Sequence, residues 1–413
     1  MTLSMTDLGR TAAPLLSDDE PMVLLVDLPM LRGNLAGLVE AFPPATLHAV
    51  ALKASPLLGL VDEVVRAGCG LEAASPTELE MALSRADKSK IVFDSPVKTD
   101  TDLKRALASG VTINADNLAE LARIDSLIGS AAPNPRIGLR VNPVLGMGGI
   151  AATSTAYAGS KFGVCLTTHR AEVVQSFQRY PWLTGLHSHI GSGGCGLDML
   201  VEGVRALDEL ASEVRSAGGH LGHLDIGGGI PVDGTGSSAP VYADYAARLR
   251  REVPGIFEGD HLLITEMGRS IHANTGVAVT RVEGVKSTGG RQIALAHVGA
   301  DLLLRTAYAP DDWRHEITVL TPDGVPKELT DLTPWDVAGP LCFSGDLIAR
   351  ARPLPPIERG DLLLVSQVGA YTLSMWSRYN SRRSPRVMGV QPGLPPVGLR
   401  HRETHDEVVS FWK

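Results

Sequence analysis

The chain has 413 residues, with 38 Lys and Arg against 46 Asp and Glu, a formal net charge of −8, 44% hydrophobic residues and 20% charged ones. That composition supplies a large core and excludes a disordered chain, and its acidic balance excludes a generic binder of nucleic-acid phosphates. No uncharged apolar stretch approaches the roughly 20 residues that span a bilayer, the N-terminus lacks the basic-then-apolar order of a secretion signal, and Cys69, Cys165, Cys195 and Cys342 show neither metal-ligand pairing nor a disulfide framework. These features lead us to expect a cytoplasmic protein with neither a nucleic-acid nor a membrane partner.

Short apolar runs alternate with helical patterns over the first two thirds of the chain. Residues 47–52, 70–74, 91–95, 111–115, 137–142, 183–190, 221–226 and 262–266 read as strands. Most are rich in Val, Ile, Leu and Ala, as strands buried on both faces are. Helical stretches such as 59–67, 77–85, 101–109, 118–127, 197–217 and 242–252 separate them. Eight strands alternating with helices predict an α/β fold, a parallel (β/α)8 barrel, with an open doubly wound sheet as the competitor. After about residue 275 the rhythm changes: 277–286, 293–297, 317–320, 361–366 and 387–390 read as strands divided by Gly, Pro and Asp turns. The expected division is a barrel over 45–274 and a β-domain built from 1–44, with a strand at 22–27, and 275–413. Residues 233–238 read as a flexible Gly/Ser connector and 354–357 as a stiff Pro turn.

Functional groups of such a barrel lie where strands end and loops begin. The first strand runs into Lys53, where desolvation is expected to lower the amine pKa and make it a Schiff-base nucleophile; a lysine snorkelling to solvent is the plain alternative. The sixth reads Leu186-His187-Ser188-His189-Ile190 and continues into Gly191-Ser192-Gly193-Gly194. On an extended strand the two histidines share a side, yet no third metal ligand stands at a sensible spacing, so no metal is expected. One imidazole is free to lie against a planar ligand, and the glycine-rich turn offers N–H groups and a hydroxyl to an anion. The seventh strand ends in Gly227-Gly228-Gly229, a second anion cradle or simply a tight turn. The eighth ends Glu266-Met267-Gly268-Arg269, where Arg269 suits a phosphate and Glu266 a protonated ring nitrogen, unless the two form a surface ion pair. Taken together, these groups suit pyridoxal 5'-phosphate: an imine lysine, ring support, a phosphate cradle and a pyridinium partner.

The stretches AVALKAS, EAASPTELEMAL, DSPVKTDTDLKRAL, LRVNP, SKFGV, GLHSHIGSG, LDIGGGIPV, EMGRS, PLCFSGD, VGAYT and YNSR occur in that order from about residue 21 to residue 386. With them the chain resembles the fold-type III pyridoxal-phosphate-dependent decarboxylases, the group of diaminopimelate and ornithine decarboxylase. PVKTDTDL, SKFG and GLHSHIGS make the likeness nearer to diaminopimelate decarboxylase. The resemblance implies that Lys53 carries the cofactor, His189 stacks on its ring, and Ser192, Gly228, Gly229, Arg269 and Tyr371 hold its phosphate. It implies that Glu266 pairs with the ring nitrogen, and that Cys342 reaches a neighbouring protomer's site as acid or Cα proton donor in a homodimer with shared active sites. Without the resemblance, Cys342 reads as a small buried hydrophobe.

The likeness breaks where a side chain would be read. Phe343 stands where the diaminopimelate enzymes carry a Glu, and an apolar ring cannot pair a buried ammonium group. The family's Arg-Pro-x-x-Tyr segment is Arg305-Thr306-Ala307-Tyr308 here, followed by a longer loop through His315 in which Asp311 and Asp312 are solvated or meet a cation. The family's Lys-Ala-Asn is Lys53-Ala54-Ser55, and Met267 replaces a Pro, changes that spare the reacting groups. Arg305, Tyr308, Phe343 and Tyr371 are the expected substrate-binding residues. The expected activity is decarboxylation of an α-amino acid or amino-acid conjugate other than meso-diaminopimelate, with a carrier-tethered or siderophore-type substrate in view. A racemase or epimerase on the same scaffold is the alternative, opposed by Glu266, because the alanine racemases that share the barrel place Arg at the ring nitrogen. A cofactor-binding regulatory protein is a third, opposed by the β-domain.

Overall fold

The computed structural model describes residues 3–128, 136–232 and 241–413. The connector read at 233–238 lies outside the described residues. Its strands are β1 (Met22–Asp27), β2 (Leu47–Ala51), β3 (Gly70–Ala73), β4 (Ile91–Phe93), β5 (Thr112–Ala115), β6 (Ile137–Asn142), β7 (Val164–Cys165), β8 (Leu183–His187), β9 (His223–Asp225), β10 (Leu262–Thr265), β11 (Gly276–Thr288), β12 (Arg291–Ala296), β13 (Ile317–Leu320), β14 (Thr333–Ala338), β15 (Leu347–Leu354), β16 (Leu362–Val365), β17 (Arg386–Val390) and β18 (Val397–Arg400).

Strands β2, β3, β4, β5, β6, β8, β9 and β10 pair in that order, all parallel, and β10 returns to β2 to close the barrel. Every expected barrel strand is present, and closure excludes the open sheet. The strand expected at 183–190 ends at His187, so His189 is placed by a loop rather than by the pleat. That corrects the reading of two histidines fixed on one strand face.

The short β7 pairs with β6 beside the barrel, and the remaining strands form a second sheet, ordered β15-β14-β12-β11-β1-β17-β18, with β16 joining β11 to β13. Strand β1 lies in its middle, antiparallel to β11 and parallel to β17. All six of its residues are buried because both faces are covered. Leu24 and Val26 join the large core shared with the barrel, while Val23 and Leu25 pack with Leu8, Ala12, Val279 and Leu364. Leu8 and Ala12 come from the helix Met5–Ala12, whose start is capped reciprocally by Ser4 and Asp7. Strands β14, β15 and β18 escaped the sequence reading: β14 carries Pro334, β15 carries Arg350, Arg352 and Pro353, and β15 and β18 are the two edges of the sheet, where an apolar alternation is not required.

Helix Leu28–Ala41 follows β1, capped by Asp27 Oδ1 accepting from the Met30 N–H at 2.9 Å, with Pro29 in its first turn. It lies against the barrel: Asn34 Nδ2 donates to Ile271 O at 2.9 Å, and Arg250 donates to Ala41 O at 2.7 Å.

Inside the barrel the fully buried His223 ring on β9 lies over Gly185 of β8 and reaches Gly138 of β6. A Cβ on Gly185 would come within 2.0 Å of that ring, whereas one on Gly33, in an exposed helix turn, would meet nothing. Gly185→Ala is therefore expected to cost about 1–3 kcal/mol of stability. Gly33→Ala should gain about 0.5–1 kcal/mol, with both effects read by calorimetric Tm. Burial also pushes the His223 pKa from 6.5 down to about 3, so the folded state holds the ring neutral. Its stabilisation is complete above the unfolded pKa and is lost as pH falls from 6.5 toward 3.

Candidate active site

The C-terminal ends of the barrel strands bring together charged side chains that the sequence reading found one at a time or missed. Lys53 stands on a short helical turn, Leu52–Ala54, directly after β2. Its Nζ donates to Oε2 of Glu72, on β3, at 2.7 Å, and 37% of the lysine side chain stays exposed. Burial disfavours the ammonium charge, but Glu72, Glu266, Tyr371 and Asp94 outweigh it and hold the pKa above the usual lysine value. The expected depression of this pKa is therefore corrected: surrounding carboxylates win over desolvation. Burial raises the Glu72 carboxyl above the usual carboxylate range, and the pull of Lys53 opposes it.

Asp94, directly after β4, accepts from Arg140 of β6 at 3.3 Å. On its other side it faces His187, the last residue of β8, at 3.7 Å. The opposite ring nitrogen of His187 faces Glu266, directly after β10, at 3.5 Å. All four are buried, which excludes the surface ion pair considered for Glu266. Glu266 is lowered below the usual carboxylate value: burial opposes its charge, and His187 together with Lys53 outweighs the burial. Neither Glu266 oxygen has a hydrogen-bond partner among the described residues. One ligand atom each of Asp94, His187 and Glu266 lie within 4.8 Å of one another, so two carboxylates do accompany the strand histidine. Arg140 and Lys53 already surround that group with positive charge. Glu72, Asp94, Arg140 and His187 carried one legible signal, a charged or titratable residue within or directly after an apolar strand.

His189 turns its Nδ1 to the Gly228 N–H, accepting at 3.1 Å. Burial pushes its pKa down to about 3, so the ring is neutral and its proton sits on Nε2. Gly228 and Gly229 allow three loops to touch: a Cβ on Gly228 would come within 2.2 Å of Glu266 O, and one on Gly229 equally close to Gly191 O. Gly229 also has φ +107°, which favours glycine. Arg269 Nε donates to Ser192 Oγ at 3.2 Å, while its buried Nη2 has no partner among the described residues. Burial pushes the Arg269 pKa down to about 10.

Tyr371 follows β16 at φ +55°, and its N–H donates to Ala54 O at 2.9 Å, beside Lys53. Its ring and that of Trp313 sandwich two guanidinium groups: Arg269 Cζ lies 4.6 and 4.7 Å from the Tyr371 and Trp313 centroids, and Arg305 Cζ 4.8 and 4.3 Å. Arg305 Nε and Nη1 are buried without partners among the described residues. Trp313 was missed, although it lies in the loop singled out as lengthened.

Cys342 and Phe343 do not join this group within one chain. Both are exposed, on the turn between β14 and β15. The Cys342 N–H donates to Asn380 Oδ1 at 2.8 Å, its carbonyl accepts from Tyr379 at 3.2 Å, and Phe343 meets the Tyr379 ring edge-on. Exposure excludes Cys342 as a buried packing residue. Tyr308, Asp311 and Asp312 are exposed as well.

The residues present suit pyridoxal phosphate. Two orphaned Glu266 oxygens await a donor such as a protonated ring nitrogen. The unpartnered Arg269 Nη2 and the glycine turns around Ser192 and Gly228 offer donors to a phosphate. Arg269→Met removes a charged contact and is expected to raise the Kd for pyridoxal phosphate about 10- to 100-fold, read by absorbance titration of cofactor-stripped enzyme.

Comparison with known proteins agrees with this geometry. Residues 32–273 match the pyridoxal-dependent decarboxylase, pyridoxal binding domain. A diaminopimelate decarboxylase of Pseudomonas aeruginosa is 32% identical over 368 residues, covering 88% of this chain and 86% of the relative. One from Methanothermobacter thermautotrophicus is 31% identical over 97% of this chain and 94% of its own. The structure of Helicobacter pylori diaminopimelate decarboxylase complexed with L-lysine superposes with a TM-score of 0.84 at 26% identity, over 95% of this chain and 96% of that one. The chain belongs to the pyridoxal-dependent decarboxylases and is a pyridoxal-phosphate-dependent amino-acid decarboxylase.

Proposed function

We propose that this enzyme decarboxylates an α-amino acid or amino-acid conjugate that carries an anionic distal group, and that meso-diaminopimelate is not its substrate. Two residues in opposite condition carry this reading. Arg305 offers two buried, unpartnered N–H groups to an anion, while Phe343 places a ring where the resemblance implies a carboxylate for an ammonium group. The loop that supplies Trp313 over Arg305 is the same one that departs from the family pattern.

When bound, pyridoxal phosphate supplies a conjugated electron sink for the charge left at Cα as CO2 departs. In this reading Lys53 carries the cofactor, His189 supports its ring, and Glu266 holds a proton at the ring nitrogen. Arg269, Ser192 Oγ, Tyr371 and the amides of Gly228 and Gly229 bind the phosphate. An ionised carboxylate opposite the ring nitrogen favours a deep sink, which opposes the racemase reading. Cys342 Sγ returns the proton to Cα of the partner's substrate, which requires a homodimer with shared sites. The exposure of Cys342 and of Phe343, 41% open in the single chain, supports that arrangement. A secondary-metabolism substrate, carboxylated, amide-linked or carrier-tethered, suits such a pocket.

Two experiments test the reading. CO2 release is measured across meso-diaminopimelate, α,ω-dicarboxylic amino acids and acyl or citryl conjugates. A substrate with a distal carboxylate and no distal ammonium group should be preferred, and Phe343→Glu should raise kcat/KM for meso-diaminopimelate; wild-type turnover of meso-diaminopimelate at least equal to the others would contradict the proposal. Mixing inactive Lys53→Ala with inactive Cys342→Ala should restore CO2 release if sites are shared, and should restore none if each chain is self-contained.

A further inference from the structure

The imidazole of His187 lies between two buried carboxylates, one belonging to a residue assigned to the chemistry and the other to none. We propose that His187 is a positioning residue: by standing between Asp94 and Glu266 it keeps Glu266 an ionised carboxylate, aimed at the cofactor ring nitrogen. The inference rests on the reading of Glu266 given above and adds the group that sets its charge.

The geometry is specific. Nδ1 lies 3.7 Å from Asp94 Oδ1 and Nε2 lies 3.5 Å from Glu266 Oε2, with the imidazole fully buried. Both separations exceed a close hydrogen bond, so the tie is between charges more than between a donor and a lone pair. A neutral ring there would leave Glu266 a desolvated anion whose nearby cation, Lys53, is engaged by Glu72 at 2.7 Å. Arg140 also answers Asp94 from the other side, so the His187 charge is shared between Asp94 and Glu266.

Every element around the ring contributes. Asp94 and Glu266 face it with carboxylates, and Asp225 with an acid that burial raises above the usual range. Arg140, Lys53, His189 and His223 bring positive or titratable groups, and Glu72 a further acid held by Lys53. Burial works against a charged His187, but Asp94, Glu266 and Asp225 outweigh it and raise its pKa to about 9. The ring is therefore charged at neutral pH and loses its proton only as pH rises through about 9. Without it, burial and the Asp94 charge push Glu266 toward the neutral acid.

The test uses the full-length enzyme with and without cofactor. NMR titration of 13C-labelled histidines, with His187 assigned by loss of its signal in His187→Gln, should show a charged ring at neutral pH; a neutral His187 there overturns the proposal. In the loaded enzyme, kcat of His187→Gln should fall at neutral pH and recover as pH rises, with about a tenfold loss for each unit by which the Glu266 pKa exceeds the assay pH. KM should change little, and the cofactor absorbance should acquire the same new ionisation. Equal loss at every pH, or one stoichiometric metal ion bound by the trio, would also overturn it. Wild-type kcat in Glu266→Gln would instead refute the reading of Glu266 itself, an outcome separate from the state of the His187 ring.

Discussion

The structure depends on a compact array of opposed charges at the mouth of the barrel. Carboxylates at the ends of β3, β4 and β10 are out of water, a state too costly to sustain without cations. Lys53 answers Glu72, Arg140 answers Asp94, and His187 stands beside Glu266. A barrel suits such an array because closure turns one residue from each successive strand end toward the same axis. Since each charge is held from a different strand, losing any one partner would leave an uncompensated buried ion.

The second sheet is tied to this array at the lysine. Tyr371 leaves β16 in the left-handed region, a conformation that costs a non-glycine residue about 1 kcal/mol or more. The strain is offset by the hydrogen bond to Ala54 O and by a ring laid over Arg269 and Arg305. The segment thus clamps the lysine turn and completes the aromatic sandwich with Trp313. Strand β1 fastens the same sheet to the barrel through the face that carries Leu24 and Val26, while Val23 and Leu25 on its other face pack under the helix Met5–Ala12.

What was legible in the sequence follows from this physics. Strands buried on both faces stand out as apolar runs, so all eight barrel strands could be read. Lys53, His189, Ser192, Gly228, Glu266 and Arg269 lie in contiguous motifs at strand ends, and the structure gathers them. Their charge states were not legible: the raised pKa of Lys53 depends on Glu72, Asp94 and Glu266, which come from three other strands. Trp313 could not be read as a clamp because its partners, Tyr371 and the two arginines, are distant in sequence. Strands β15 and β18 were invisible because edge strands need no apolar alternation, and β14 because Pro334 and Asp336 interrupt its apolar pattern.

The central claim is that this charged mouth holds pyridoxal phosphate through Lys53. Borohydride reduction of the cofactor-loaded enzyme followed by peptide mass spectrometry tests it most directly. The account predicts a pyridoxyl group on the peptide containing Lys53 and on no other lysine. Label on Lys98 or Lys161, or no label on an enzyme that still releases CO2, would contradict it.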